Sequence, residues 1–441
     1  MPFLCILFAV LHKKFYFCAV QILKRMKSIV LQQKEELKYL MSLPYQPRKP
    51  LDDVGAYLES NVIKLITGPR RAGKSVFALQ MLSGRNFAYL NFDDYSLLYS
   101  FDEDAVAQAL SEVYPGYTHL LLDEVQNLDK WDIWVGKLKR RGMNLVITGS
   151  NARMLSSEMA TLLTGRYVEI EMLPFSLSEY MAYRKVDIHP QLPDGKAALM
   201  LEIESYMCAG GFPEISKTRE IAKSYVGALF DSIVLKDVAR RYKLRKVNEL
   251  YTLADYLVSN YCNQLSYNEM AEWLGISSVN TVKNFCNYLS EPYLFFYLPR
   301  YNNKLRLMKN APRKIYVVDN GFVNARSFEL SANRGRLLEN MVFLELLRRG
   351  YKVGDSLFYY HTRNGREIDF VLREANKVKS LIQVSYDISM NKTRERELKA
   401  LEEASCELGC NDLSIITWDS KETVEYAGRT IKVLSVRDWF L

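Results

Sequence analysis

An α/β fold, a parallel sheet with helices on both faces, is predicted by three apolar runs and the residues that succeed them. The first, Val62-Ile63-Lys64-Leu65-Ile66-Thr67, leads through Gly68-Pro69-Arg70-Arg71-Ala72-Gly73-Lys74-Ser75 into the helical stretch Val76–Leu82. The second, Thr118-His119-Leu120-Leu121-Leu122, ends in Asp123-Glu124. The third, Asn144-Leu145-Val146-Ile147-Thr148-Gly149, ends in Ser150-Asn151. Short apolar runs alternating with helical stretches describe buried parallel strands joined by crossover helices. Strands are expected over 62–67, 87–91, 118–122, 144–149 and 167–171.

The loop after the first strand carries the chemistry. In G-x-x-x-x-G-K-S, two glycines let the backbone wrap a phosphate while successive N–H groups and a helix N-terminus point at it. The expected nucleotide-binding segment therefore runs through Gly68, Pro69, Arg70, Arg71, Ala72, Gly73, Lys74, Ser75 and Val76. Lys74 is placed to reach the β- and γ-phosphates, and the Ser75 hydroxyl to ligate Mg²⁺. Asp123 ends a strand at the sheet edge where α/β proteins bind ligands, and would hold Mg²⁺ through water. Glu124 would polarise the attacking water, and an Asp-Glu pair favours hydrolysis over simple binding. Ser150, then Asn151, is the expected polar sensor at the third strand's end, with an ordinary turn as the alternative. Asp93, closing the second strand in Asn91-Phe92-Asp93-Asp94, reads as a solvated turn, with a supporting position near the nucleotide as the alternative.

In combination these motifs resemble one family of prokaryotic AAA+ ATPases. Leu122-Asp123-Glu124-Val125-Gln126, Thr164-Gly165-Arg166, Leu173-Pro174-Phe175-Ser176, Glu179-Tyr180 and Gly210-Gly211-Phe212-Pro213-Glu214 fit the same family. The resemblance spans roughly residues 27–440. It implies an AAA+ fold, ATP as the nucleotide, and a carboxy-terminal domain of uncharacterised role. It also implies that Arg166, after a helix over 154–163, stabilises γ-phosphate charge, usually on a neighbouring subunit of a homo-oligomer. Pairing of Arg166 with Glu169 or Glu171 is the alternative.

A chain of 441 residues exceeds one ordinary core. The expected organisation is an amino-terminal extension and helix (1–45), the ATPase core (46–185), a helical lid (186–246), a winged helix-turn-helix (247–305) and a small α/β nuclease-like domain (306–441). Seven scattered cysteines point to a reducing compartment rather than a disulfide framework. The apolar run Phe3–Leu11 is too short to span a bilayer, and its charges come after rather than before it, unlike a secretory signal. A cytoplasmic protein without integral membrane association is expected. Residues 1–25 read as preceding a true start at Met26, with a membrane-associating amphipathic segment as the alternative.

Residues 27–45 read as an amphipathic helix with Ile29, Leu37, Leu40 and Met41 among its apolar positions. The link Tyr45-Gln46-Pro47-Arg48-Lys49-Pro50 breaks it before the core. In the helix-turn-helix, Leu265–Leu274 is the first helix and Val279–Leu289 the recognition helix. Val282, Phe285 and Leu289 recur at helical spacing toward the core, leaving Asn280, Lys283, Asn284 and Asn287 outward for bases or phosphates. Between Asp231 and Tyr316, 13 Lys/Arg face 7 Asp/Glu, so most of the net charge of +8 lies there. Duplex DNA is the implied partner, and docking of a protein is the alternative.

The carboxy-terminal residues resemble the PD-(D/E)xK nuclease fold. The resemblance places Glu339 on a helix, Asp369 on the strand Glu367–Leu372, and Gln383 on the next strand, as a degenerate metal site. Ser385 stands where that family has its catalytic lysine, which argues against nuclease activity. The sequence thus predicts an ATP- and Mg²⁺-dependent ATPase coupled to nucleic acid. A signalling-type NTPase switch that binds a protein, and an ATP-gated nuclease, remain as alternatives.

Overall fold

The computed structural model describes residues 2–49, 54–151, 165–327, 333–375 and 377–441. The chain divides into two units, one of residues 1–68 with 73–172, the other of 69–72 with 173–441. The helix expected over 154–163 lies outside the described residues.

The first unit is built on five strands: β1 (Ile63–Thr67), β2 (Phe87–Asn91), β3 (His119–Asp123), β4 (Asn144–Gly149) and β5 (Tyr167–Glu171). Their order is β2-β3-β4-β1-β5, with every neighbouring pair parallel. The predicted α/β class is the observed one. Ile63, Leu65, Leu120, Leu122, Leu145 and Ile147 are fully buried, as central strands covered on both faces require. Each such side chain contributes about 1.5–3 kcal/mol of burial. Lys64 is the exception in this run. Its ammonium donates to the Ser60 carbonyl and Asn144 Oδ1, both at 2.6 Å, and burial pulls its pKa down to about 8.

The first helix is longer than its amphipathic pattern suggests, running Pro2–Ser42. Met26, Ile29, Val30 and Leu37 are buried, whereas Met41 faces away from the core. Gln33 is the polar anchor of this helix. Its amide nitrogen donates to the Asn91 carbonyl at 3.1 Å, and its amide oxygen accepts from the Asn91 N–H at 3.0 Å. One side chain thereby satisfies backbone groups at the end of β2, an edge strand. Among the described residues no helix is long and apolar enough to cross a membrane.

The second unit begins with the helices Leu177–Arg184, Pro193–Ala209, Pro213–Lys217 and Ala222–Ser232, the last running into π-helical turns over Ile233–Arg240. Ser176 and Glu179 form a reciprocal capping box at the start of Leu177–Arg184. The motifs around 175 and 211 meet each other. Phe175 N–H donates to the Gly211 carbonyl at 2.8 Å, Tyr206 hydroxyl donates to the Phe175 carbonyl at 2.7 Å, and Arg348 donates to the Pro174 carbonyl at 3.0 Å. Asp319 accepts from the N–H groups of Gly211 and Gly321, both at 2.8 Å.

A three-stranded antiparallel sheet comes next, β6 (Gln264–Leu265), β7 (Phe295–Pro299) and β8 (Arg313–Val317), in the order β6-β8-β7. Leu265, expected in a helix, pairs with Arg313 instead. The helix begins at Tyr267 because Ser266 and Glu269 cap it. The next helix, Val279–Ser290, buries Val282, Phe285 and Leu289 and exposes Asn280, Lys283 and Asn284. The last sheet contains β9 (Leu357–His361), β10 (Glu367–Glu374), β11 (Lys377–Val384), β12 (Leu413–Thr417), β13 (Glu422–Tyr426) and β14 (Arg429–Ser435), ordered β13-β14-β12-β11-β10-β9. Its three central neighbours β11, β12 and β14 are parallel, and the flanking pairs are antiparallel.

Candidate nucleotide site

The parallel sheet brings the ends of β1, β3 and β4 to one edge, and the predicted phosphate-binding residues gather there. Gly68 leaves β1 with φ +146°, and a Cβ on it would meet the Met172 carbonyl oxygen at 2.1 Å. Only glycine fits this departure. Lys74 opens the helix Lys74–Met81 and is nearly enclosed, with its ammonium 3.4 Å from Glu124 Oε1. Ser75 Oγ donates to Asp123 Oδ1 at 2.8 Å. The loop tip, Pro69–Ala72, groups with the second unit, where Arg70 donates to Asp237 at 3.2 Å and Arg71 lies 3.5 Å from Glu214. Val76 comes after Ser75 in the helix.

Asp123 is the most constrained of these groups. Besides Ser75, the Thr148 hydroxyl donates to it, and the Tyr89 hydroxyl donates to its second oxygen at 3.2 Å. Burial, and then the neighbouring Glu124, push its pKa up to about 6. Glu124 turns out of the strand with φ +52°, its N–H held by Thr148 Oγ1 at 3.0 Å. Ser150 and Asn151 are both buried at the end of β4. Gln126 Nε2 donates to Glu124 Oε2 at 2.5 Å and to Ser150 Oγ at 3.3 Å, bridging the predicted base and sensor.

Known proteins share these sequences. An AAA-domain family profile matches residues 60–181, and two domains of unknown function match beyond it, DUF8612 over 200–332 and DUF4143 over 334–439. An uncharacterized protein of Methanocaldococcus jannaschii is 33% identical over 408 residues, covering 88% of this chain and 90% of the relative. The chain belongs to the same family as that protein, with an AAA domain over residues 60–181. An uncharacterized protein of Haemophilus influenzae is 31% identical over 402 residues, covering 87% of this chain and 96% of the relative. The Walker-type ATPase of Pyrococcus abyssi aligns at 13% identity over 65% of this chain and 99% of its own, with a TM-score of 0.44.

Several site residues of this AAA-domain protein escape the sequence reading. Tyr89 and Thr148 hide inside apolar strands and are recognisable only by the register that sets them beside Asp123. Gln126 lies two residues past Glu124 in the quoted Leu-Asp-Glu-Val-Gln motif, which is its one signal. Arg48, from the link before the core, is buried with its guanidinium 3.4 Å from where a Gly73 Cβ would stand. Arg166 lies elsewhere. It is exposed beside Ile63, whose N–H donates to its carbonyl at 2.9 Å, at the start of β1 rather than the end that carries the loop. A five-residue strand at about 3.3 Å per residue separates those two edges. Arg166 therefore does not join Lys74 and Ser75 within one chain. Asp93 accepts from Asn127 Nδ2 at 2.8 Å, an exposed turn contact.

In the second unit, Glu339, Asp369 and Gln383 are brought together. The Asp369 N–H donates to Gln383 Oε1 at 2.8 Å, and both carboxylates reach one group, the ammonium of Lys314. Lys314 also escapes the sequence reading. Its signal is a lysine in the strand-like run Arg313-Lys314-Ile315-Tyr316-Val317, where alternation sets it on a buried face.

Proposed function

We propose that this chain is a Mg²⁺-dependent ATP hydrolase whose turnover is coupled to duplex DNA. The observation that carries the reading is the meeting of Lys74, Ser75, Asp123 and Glu124 at one sheet edge. The backbone of 68–76 and Lys74 bind the phosphates. Ser75 and Asp123 offer one neutral and one anionic oxygen, a donor set that suits Mg²⁺, which usually keeps several waters. Held there, that ion would supply positive charge to offset the charge of the phosphate oxygens. Glu124 takes a proton from the attacking water, Ser150 senses the γ-phosphate, and Gln126 ties the two together. Arg166, exposed and remote from its own loop, suits a neighbouring subunit's nucleotide in a homo-oligomer.

The Asp123 environment gives this reading a pH dependence. Its pKa is raised to about 6, so the ionised form that holds Mg²⁺ is lost as pH falls through that value. At limiting Mg²⁺, turnover should fall about tenfold per pH unit below about 6, and excess Mg²⁺ should move the midpoint lower. A profile flat between pH 5 and 8 would remove Asp123 from the metal.

DNA binding is assigned to the exposed face of Val279–Ser290, with Asn280, Lys283 and Asn284, and to the basic run that includes Arg240. The test is ATP turnover with and without duplex DNA, together with binding across a salt series. Each neutralised phosphate adds about 0.9 to the log–log salt slope. Lys283→Ala with Arg240→Ala should flatten that slope by up to about 2 and leave ATP affinity unchanged. A chain that ignores duplex DNA at low salt would instead be a nucleotide switch for a protein partner.

A further inference from the structure

The resemblance of the carboxy-terminal residues to metal-dependent nucleases implies a divalent ion held by Glu339, Asp369 and Gln383. The side chains do not fit that ion. Lys314 Nζ stands 2.8 Å from Glu339 Oε1, 2.7 Å from Asp369 Oδ1 and 2.5 Å from Glu367 Oε1. An ammonium has three protons and no acceptor, and three carboxylate oxygens lie in reach of them. Asp369 and Gln383 have further partners. Asp369 Oδ2 accepts from the Val384 N–H at 2.9 Å, and Gln383 is held between the Asp369 N–H and Glu397 Oε2. Ser385 donates to the Asp387 carbonyl rather than into the cluster. Among the described residues no group of three or more His, Cys, Asp or Glu could hold a metal.

The burial of this lysine decides what it can do. A lysine that assists cleavage has to reach the scissile phosphate, which arrives from solvent. Lys314 is only 1% exposed, on the central strand of the β6-β8-β7 sheet. Its ammonium is ion-paired with Asp369, Glu339 and Glu367, all within 2.8 Å. The group is a buried charge paired with acids rather than presented to solvent, where a phosphodiester arrives.

We propose that the Lys314 ammonium is a permanent internal cation that replaces the divalent ion among Glu339, Glu367 and Asp369, leaving a metal-independent scaffold without nuclease activity. The lysine missing at Ser385 and the poor fit of these acids to a divalent ion then have one explanation. A single strand residue has made both unnecessary for holding the acids together.

Mn²⁺ binding to the full chain, monitored by electron paramagnetic resonance, tests this. All proteins carry Asp123→Asn and lack nucleotide, so that the phosphate loop contributes no ion. The chain with Lys314 intact should bind no Mn²⁺ that depends on Asp369, and should not cleave duplex DNA with Mn²⁺ or Mg²⁺. Lys314→Ala should lower the unfolding temperature, gain one Mn²⁺, and recover part of the lost temperature as Mn²⁺ is added. Adding Asp369→Asn should remove both the ion and the recovery. A folded Lys314→Ala chain that gains no ion would overturn the proposal. If Lys314→Ala does not fold, the intact chain decides: an ion or a cleavage activity lost in Asp369→Asn refutes the internal cation, and their absence supports it. No step of this depends on ATP hydrolysis, so either reading can fail alone.

Discussion

Lys74→Ala is expected to abolish ATP binding, whereas Glu124→Gln should bind ATP normally and lose about 10²–10⁴-fold in turnover. The two residues face each other across 3.4 Å, yet they serve different steps. Lys74 is nearly enclosed at the helix start, and in the proposed mechanism its charge attracts the phosphates. Its loss removes attraction that operates before any chemistry. In the proposed mechanism Glu124 contributes only when water is deprotonated, so its isostere preserves shape and removes basicity. The fold should tolerate the change, because the new amide can still present an oxygen to Gln126 Nε2. Equilibrium binding of a fluorescent ATP analogue separates the first effect, and phosphate release under saturating ATP the second. A full rate in Glu124→Gln would move the water-activating role to Ser150 or Asn151, both buried at the adjoining strand end.

The contrast between the nucleotide site and the Lys314 cluster explains how much is legible in sequence. The parallel sheet is legible because four of its strands are largely apolar runs and the fifth, Tyr167–Glu171, alternates, patterns that need no partner to be recognised. All five strands lie where the runs place them, within a residue at each end. The loop over 68–75 is legible because its pattern is local: its glycines and the helix that follows it are adjacent in sequence. Tyr89, Thr148 and Lys314 are not, since each acts through neighbours from strands far away in sequence. A polar group in an apolar run carries no mark of its partner until register is known. The Leu173–Ser176 and Gly210–Pro213 motifs are recognisable as a family signature without a physical account. Their contacts show packing among backbone groups, which a local pattern cannot express.

That packing predicts the largest stability effect. Gly210→Ala and Gly211→Ala should each destabilise the second unit by about 4 kcal/mol or more, the range reached when a buried constraint is broken. Gly210 has φ +89° and ψ −174°, a region essentially restricted to glycine. A Cβ there would meet Asp319 Oδ1 at 1.7 Å. Asp319 cannot simply swing aside, because it is buried and accepts from two backbone N–H groups. A Cβ on Gly211 would meet the Phe175 carbonyl oxygen at 2.3 Å, and that oxygen already accepts from Tyr206 and Arg348. Relief at either position leaves buried donors or acceptors unpaired, at about 1–3 kcal/mol for each group. Gly227, within the helix Ala222–Ser232, is the internal control, since a Cβ there meets nothing within 4 Å. Gly227→Ala should stabilise by about 0.5–1 kcal/mol through helix propensity alone. Thermal unfolding of the three variants should therefore show two midpoints lowered by about 10 °C and one slightly raised. Equal small shifts in all three would mean that Asp319 and the 175 turn can yield, and that the Gly-Gly motif is not held by these contacts.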